Sequence, residues 1–176
     1  MSCGHSRRVL LNQSGSIIIE LAIVAPIIAL LAIGAVDLSN AYSRKLALEQ
    51  GAQRAIEKIM QTTDVDTVEG TLKSEAICQV NGMNADGTCK SSPITASNVV
   101  ISYRLECTTA AGTVTTQTSI DATAFDAFTC PAGIAKHARY IQIALTDSYS
   151  AIFPVLFSGA VAGSYPLTAT AGMRTE

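Results

Sequence analysis

From Ser16 to Val36 the chain carries a single charge, Glu20, in a run that is otherwise almost wholly apolar. A helix rises about 1.5 Å per residue, so a run of this length covers a hydrocarbon core of roughly 30 Å. Beyond it the pattern changes. Leu38, Ala41, Tyr42, Leu48, Ala52, Ala55, Ile56 and Ile59 recur at steps of three and four, which predicts one amphipathic helix over 37–62 continuing the first. Its apolar stripe is long enough to receive a small sheet. Lys45 interrupts the stripe and can snorkel, and Gly51 is a weak point within it. Glu49, Arg54, Glu57 and Lys58 fall on the polar side and read as solvated. Thr62 to Asp66 ends the helix, and Val68, Leu72, Ala76 and Val80, spaced by four, predict a short second one.

After the turn-rich stretch Asn81 to Gly87 the period becomes two. Val99, Ile101, Tyr103 and Leu105 alternate with Val100, Ser102, Arg104 and Glu106, a half-buried strand. Ala110-Ala111-Gly112 is a turn, and Thr113 to Ile120 reads as the antiparallel partner. Tyr140 to Leu145 alternates again, and so does the end of the chain, with Leu167, Ala169, Ala171 and Met173 on one face. The expectation is an α+β fold: a long N-terminal helix under one small antiparallel sheet of about four strands.

Composition changes this picture in two places. The net charge of −2 and the lack of a dense basic patch outside the N-terminus argue against nucleic acid as a partner. Cys3 lies near the N-terminus, and four cysteines follow the apolar run: Cys78, Cys89, Cys107 and Cys130. An even number beyond a membrane span suggests two disulfides in an oxidising compartment. Three pairings are open. Cys78–Cys89 with Cys107–Cys130 is favoured because each closes a local loop around turn-rich sequence. Zinc is disfavoured, since there is no C-x-x-C pair and His137 is the one downstream histidine. Calcium is disfavoured because the 81–87 turn lacks the D-x-D-x-D-G pattern and a closing Glu. No metal or other cofactor is expected.

Chemistry concentrates at the start of the chain. Arg7 and Arg8 precede the apolar run, so the positive-inside rule keeps this end in the cytoplasm and exports the remainder. Glu20 sits one helical turn beyond Ser16. An acid at the middle of a membrane helix costs about 2.5–3.5 kcal/mol, and less near the interface, so it calls for a reason. Pro26 cannot donate to the carbonyl of Ala22 and is expected to kink or loosen the helix there. Asp37 reads as the mark of the outer interface, where water begins. Two other readings of this stretch are an uncleaved signal anchor and a secretory signal cut near Ala32-Ile33-Gly34.

The string Gly15-Ser16-Ile17-Ile18-Ile19-Glu20 resembles the processing site of type IV pilins and pseudopilins, in which a prepilin peptidase cuts after the Gly and leaves the Glu fifth in the mature chain. The wider string GSIIIELAIVAPIIALLAIGAVDLSNAY resembles the TadE/TadG-like minor pilins of the tight-adherence (Flp pilus) system, as does the ending Leu167 to Arg174; Leu21 departs from the aromatic common at its position. The resemblance implies a basic leader over 1–15 removed at Gly15-Ser16, a transmembrane helix over 16–36, and an extracytoplasmic β-rich domain over 63–176. It also implies an inner-membrane location, with the C-terminal domain periplasmic or carried into an extracellular pilus. The implied partners are the prepilin peptidase, other pilins and minor pilins, the inner-membrane assembly platform and the lipid bilayer. The new amine of Ser16 would pair with Glu20 of its own or an adjacent subunit. The alternative is an uncleaved, signal-anchored periplasmic module that binds another protein.

No catalytic constellation is legible. There is no G-x-S-x-G, phosphate loop or metal motif, and His137, Asp121, Asp126 and Asp147 have no spacing that requires them to meet. The apolar stretch Ala151 to Val161 is too short to span a bilayer and reads as a buried segment or a contact patch.

Overall fold

The computed structural model describes residues 13–61, 69–151 and 164–175. Its first element is one helix, α1 (Gln13–Gln61), which runs without a break through Pro26. A second helix, α2 (Glu69–Asn81), lies against it. Four strands follow: β1 (Val99–Thr109), β2 (Val114–Ser119), β3 (Ile134–Ser150) and β4 (Ser164–Arg174). A short helix, α3 (Ala122–Asp126), joins β2 to β3. The strands form one antiparallel sheet in the order β2-β1-β3-β4, and α1 packs across β3 and β4. The fold is α+β, as the alternating pattern predicts.

Local chemistry explains the elements. Asp121 caps α3 by accepting from the amides of Thr123 (2.9 Å) and Ala124 (3.4 Å). Gly112, at φ 84°, closes the β1–β2 turn in a conformation that favours glycine. Asn81, buried at the end of α2, holds the following loop: its Nδ2 donates to the carbonyls of Lys90 (2.8 Å) and Ile94 (2.7 Å), and its Oδ1 accepts from the Ile94 amide (3.0 Å).

The main core joins Leu48, Ala52, Ala55 and Ile56 of α1 to Leu72 and Ala76 of α2, Val99 and Ile101 of β1, Ile141, Ile143 and Leu145 of β3, and Ala169 of β4. Each large aliphatic buried there stabilises the fold by about 1.5–3 kcal/mol. A smaller cluster gathers Leu105, Cys107 and Phe125 under α3, with Phe125 stacked on Tyr103 at 5.3 Å between centroids. Cys78 is bonded to Cys89 and Cys107 to Cys130. The first bridge ties α2 to its loop, and the second pins the segment after α3 to β1.

Three details of the sequence reading need correction. Leu38 and Tyr42 are 64% and 63% exposed, so they do not belong to the stripe under the sheet. Arg54 and Lys58 are not merely solvated: both reach Glu75 of α2, at 4.0 and 3.5 Å. Gly51 is the point of closest approach rather than a weak point. A Cβ there would stand 2.5 Å from Val80 Cγ2, 3.0 Å from the Ala76 carbonyl and 3.2 Å from Leu145 Cδ2, so α2 and β3 both use the missing side chain. The segment 152–163 lies outside the described residues, and so does most of the Ala151–Val161 stretch.

Candidate functional site

The helix α1 has two regimes. From Ile18 to Ala32 every residue is exposed, including Ile18, Ile19, Leu21, Ile23, Ile27, Ile28 and Leu31 around the whole circumference. A helix apolar on all sides has no stable place in water and needs lipid or other helices. This is the one helix among the described residues long and apolar enough to cross a membrane. Burial begins at Gly34 and continues at Asp37. From there to the end of α1, one face is covered by the sheet.

Gly15 and Ser16 lie in the first turn of α1. Glu20 stands one turn further along, exposed, and an i, i+4 relation puts it on the face of Ser16. The rise between them is about 6 Å. Arg7 and Arg8 lie outside the described residues. Pro26 sits within the lipid-length segment and leaves the carbonyl of Ala22 without its intrahelical N–H.

The seam where α1 meets the sheet is where sequence reasoning fell short. Asp37 does not mark the edge of water; it is 2% exposed and accepts a hydrogen bond of 2.9 Å from the Tyr149 hydroxyl. Two turns on, Arg44 Nε donates to Asp147 Oδ2 at 2.6 Å, and that carboxylate is nearly buried. Asp147 and Tyr149 share the inner face of β3 with Ile141, Ile143 and Leu145, because side chains of a strand alternate. Asp37, Arg44 and Gly51, at steps of seven on α1, thus face Tyr149, Asp147 and Leu145, at steps of two on β3. The contact grades from polar at the end next to the all-apolar segment to apolar in the core. Burial, then hydrogen bonding to Asp37, pushes the Tyr149 phenol above its ordinary value. The 3–4 spacing of Gly34, Asp37, Ala41, Arg44 and Leu48 was visible in the sequence, but its polar members concealed it.

The remaining candidates are not brought together. Asp121 caps α3, Asp126 lies 3.8 Å from Arg139, and Asp147 holds Arg44. His137 is paired in register with Cys107, beside the second disulfide. Among the described residues no group of His, Cys, Asp and Glu is arranged to hold a metal.

One apolar helix of membrane-spanning length, continued beneath a small antiparallel sheet with two disulfides, makes an α+β fold compatible with a single-pass membrane anchor, on the plan that the pilin resemblance implied. Residues 15–56 match the family model of TadE-like proteins, a span that begins at Gly15 and takes in Glu20, Pro26, Asp37 and Arg44. The match is consistent with a TadE/TadG-like protein of the Flp pilus system, a family that is structural rather than catalytic. No curated protein and no solved structure matches it.

Proposed function

We propose that the chain is a minor pilin of a Flp-type pilus, inserted with its N-terminus in the cytoplasm and cut by a prepilin peptidase between Gly15 and Ser16. Residues 1–15 are then the leader, 16–36 cross the inner membrane, 37–62 carry the helix out under the sheet, and 63–176 form the exported domain. The observation that carries this reading is the family match beginning at Gly15, on a helix whose apolar part has no partner within the described residues. Cleavage leaves a cationic amine at Ser16 one turn from Glu20. In a low-dielectric surround a carboxylate favours such a partner, on its own or an adjacent subunit. The pair sets the register in which helices leave lipid and pack. The protein assembles with other pilins at the inner-membrane platform. The seam at Asp37 and Arg44 supports this use, because it couples the orientation of the exported sheet to the rotation of the membrane helix. Intact mass of the membrane-extracted protein, with and without the peptidase, tests the reading.

A further inference from the structure

The sheet has two edges, and they are not alike. The β4 edge carries Pro166 and Arg174 and lies on the half of the sheet that α1 covers. The β2 edge reads Val114-Thr-Thr-Gln-Thr-Ser119 and continues to Ile120. It has no charge, no proline and no bulge, and all but Ser119 are exposed along the strand. Native sheets blunt open edges with lysine, proline or a twist, because unpaired N–H and C=O groups template a further strand. This edge carries none of those devices. The amide of Thr109 donates to the carbonyl of Thr113 at 2.9 Å, which sets the phase of the β1–β2 ladder. Val114, Thr116 and Thr118 therefore turn their backbone groups away from β1.

We infer that β2 is a docking edge for β2 of a second copy of this chain, paired antiparallel about a two-fold axis at Gln117. The sequence of the strand selects both the partner and the register. Centred on Gln117, Thr116 faces Thr118 of the second copy, and Val114 faces its Ile120 at both ends. Val114 and Ile120 are 54% and 71% exposed, and both fall on the outer face of the sheet by alternation. The pairing covers them with each other and places no charge opposite a like charge. The outward-turned groups of Val114, Thr116 and Thr118 form the new hydrogen bonds, and Gln117 meets its own copy as a non-hydrogen-bonded pair. The two sheets become one of eight strands, an isologous contact that leaves α1 of each copy untouched.

The test is site-directed crosslinking of the full-length chain in its membrane, in a Cys3→Ser background. Non-hydrogen-bonded pairs bring Cα atoms to about 4.5 Å, close enough for a disulfide, so Gln117→Cys should give a covalent dimer under mild oxidation and Thr116→Cys should give far less. Gln117→Lys and Gln117→Glu should each lose the dimer seen by light scattering in detergent, and mixing the two should restore it. A restored dimer can come only from copies of this chain facing each other at position 117. No dimer from Gln117→Cys, equal yields from the two cysteine variants, or no restoration on mixing would overturn the proposal. The last outcome together with a crosslink to a different protein would assign the edge to another subunit.

Discussion

The Tyr149 hydroxyl, at the far end of β3, donates at 2.9 Å to the buried carboxylate of Asp37, just beyond the lipid-length part of α1. The bond ties the end of the sheet to the point where the helix leaves its apolar regime. Replacing Tyr149 with Phe removes one donor from a buried acid, which costs on the order of 1–3 kcal/mol. The variant should melt earlier in detergent and expose the α1–β3 seam to protease, while its insertion in the membrane is unchanged. Arg44→Ala should act in the same direction by stranding Asp147.

Gly51→Ala has two opposed effects. Alanine is favoured over glycine inside a helix by about 1 kcal/mol. Against this, the added carbon would stand 2.5 Å from Val80 Cγ2 and 3.0 Å from the Ala76 carbonyl, and overpacking of this kind costs about 1–3 kcal/mol. The carbonyl belongs to backbone and yields little, so the net effect should be destabilising. Thermal unfolding should show a lowered midpoint that Val80→Ala, made together with it, restores in part.

Tyr103 contributes to the alkaline limit. Burial, and then the carboxylate of Glu69, push its phenol from the ordinary 10.0 up to about 12. The folded state holds this proton more tightly than the unfolded chain does. Its contribution to stability is therefore fully present below pH 10 and is lost as pH rises to about 12. Ultraviolet titration of tyrosinate should show a late component near pH 12 that disappears in Tyr103→Phe.

The two disulfides should differ in accessibility. Cys107 is buried in the cluster with Leu105 and Phe125, whereas Cys78 and Cys89 are both partly exposed. Mild reductant followed by alkylation and peptide mapping should label Cys78 and Cys89 first. Removing either bridge should cost roughly 3 kcal/mol by the chain-entropy argument.

The strands were legible because alternation is a strict period. The inner faces of β1 and β4 are those that Val99 to Leu105 and Leu167 to Met173 announce. The helix of membrane-spanning length was legible from the length and apolarity of its run. The seam was not, because Asp37 and Arg44 are charged and periodicity reading seeks apolar residues. Leu38 and Tyr42 drew the stripe to the wrong side for the same reason. What makes Asp37 an inward position is Tyr149, more than a hundred residues away, and no local pattern reports such a partner. Gly51 is similar: its role depends on two other elements converging on it. Gly15, Ser16 and Glu20 were found by motif, and the function proposed for them lies in processing and assembly rather than in packing within the chain.

Glu20→Ala should leave export and membrane insertion intact, since it removes a charge from an apolar helix. Surface filaments counted by electron microscopy should fall sharply. Normal filaments from this variant would refute the register role of the Glu20–Ser16 amine pair.

Processing at Gly15-Ser16 is read out by the intact mass of the protein extracted from membranes of cells with and without the prepilin peptidase. Cleavage should give a chain beginning at Ser16 when the peptidase is present and leave the leader unshortened when it is absent. A chain that keeps its leader in both would rule out processing and make the protein a signal-anchored module. A start near Ala35 would mean that the helix is a discarded signal, and the pilin reading would fall with it.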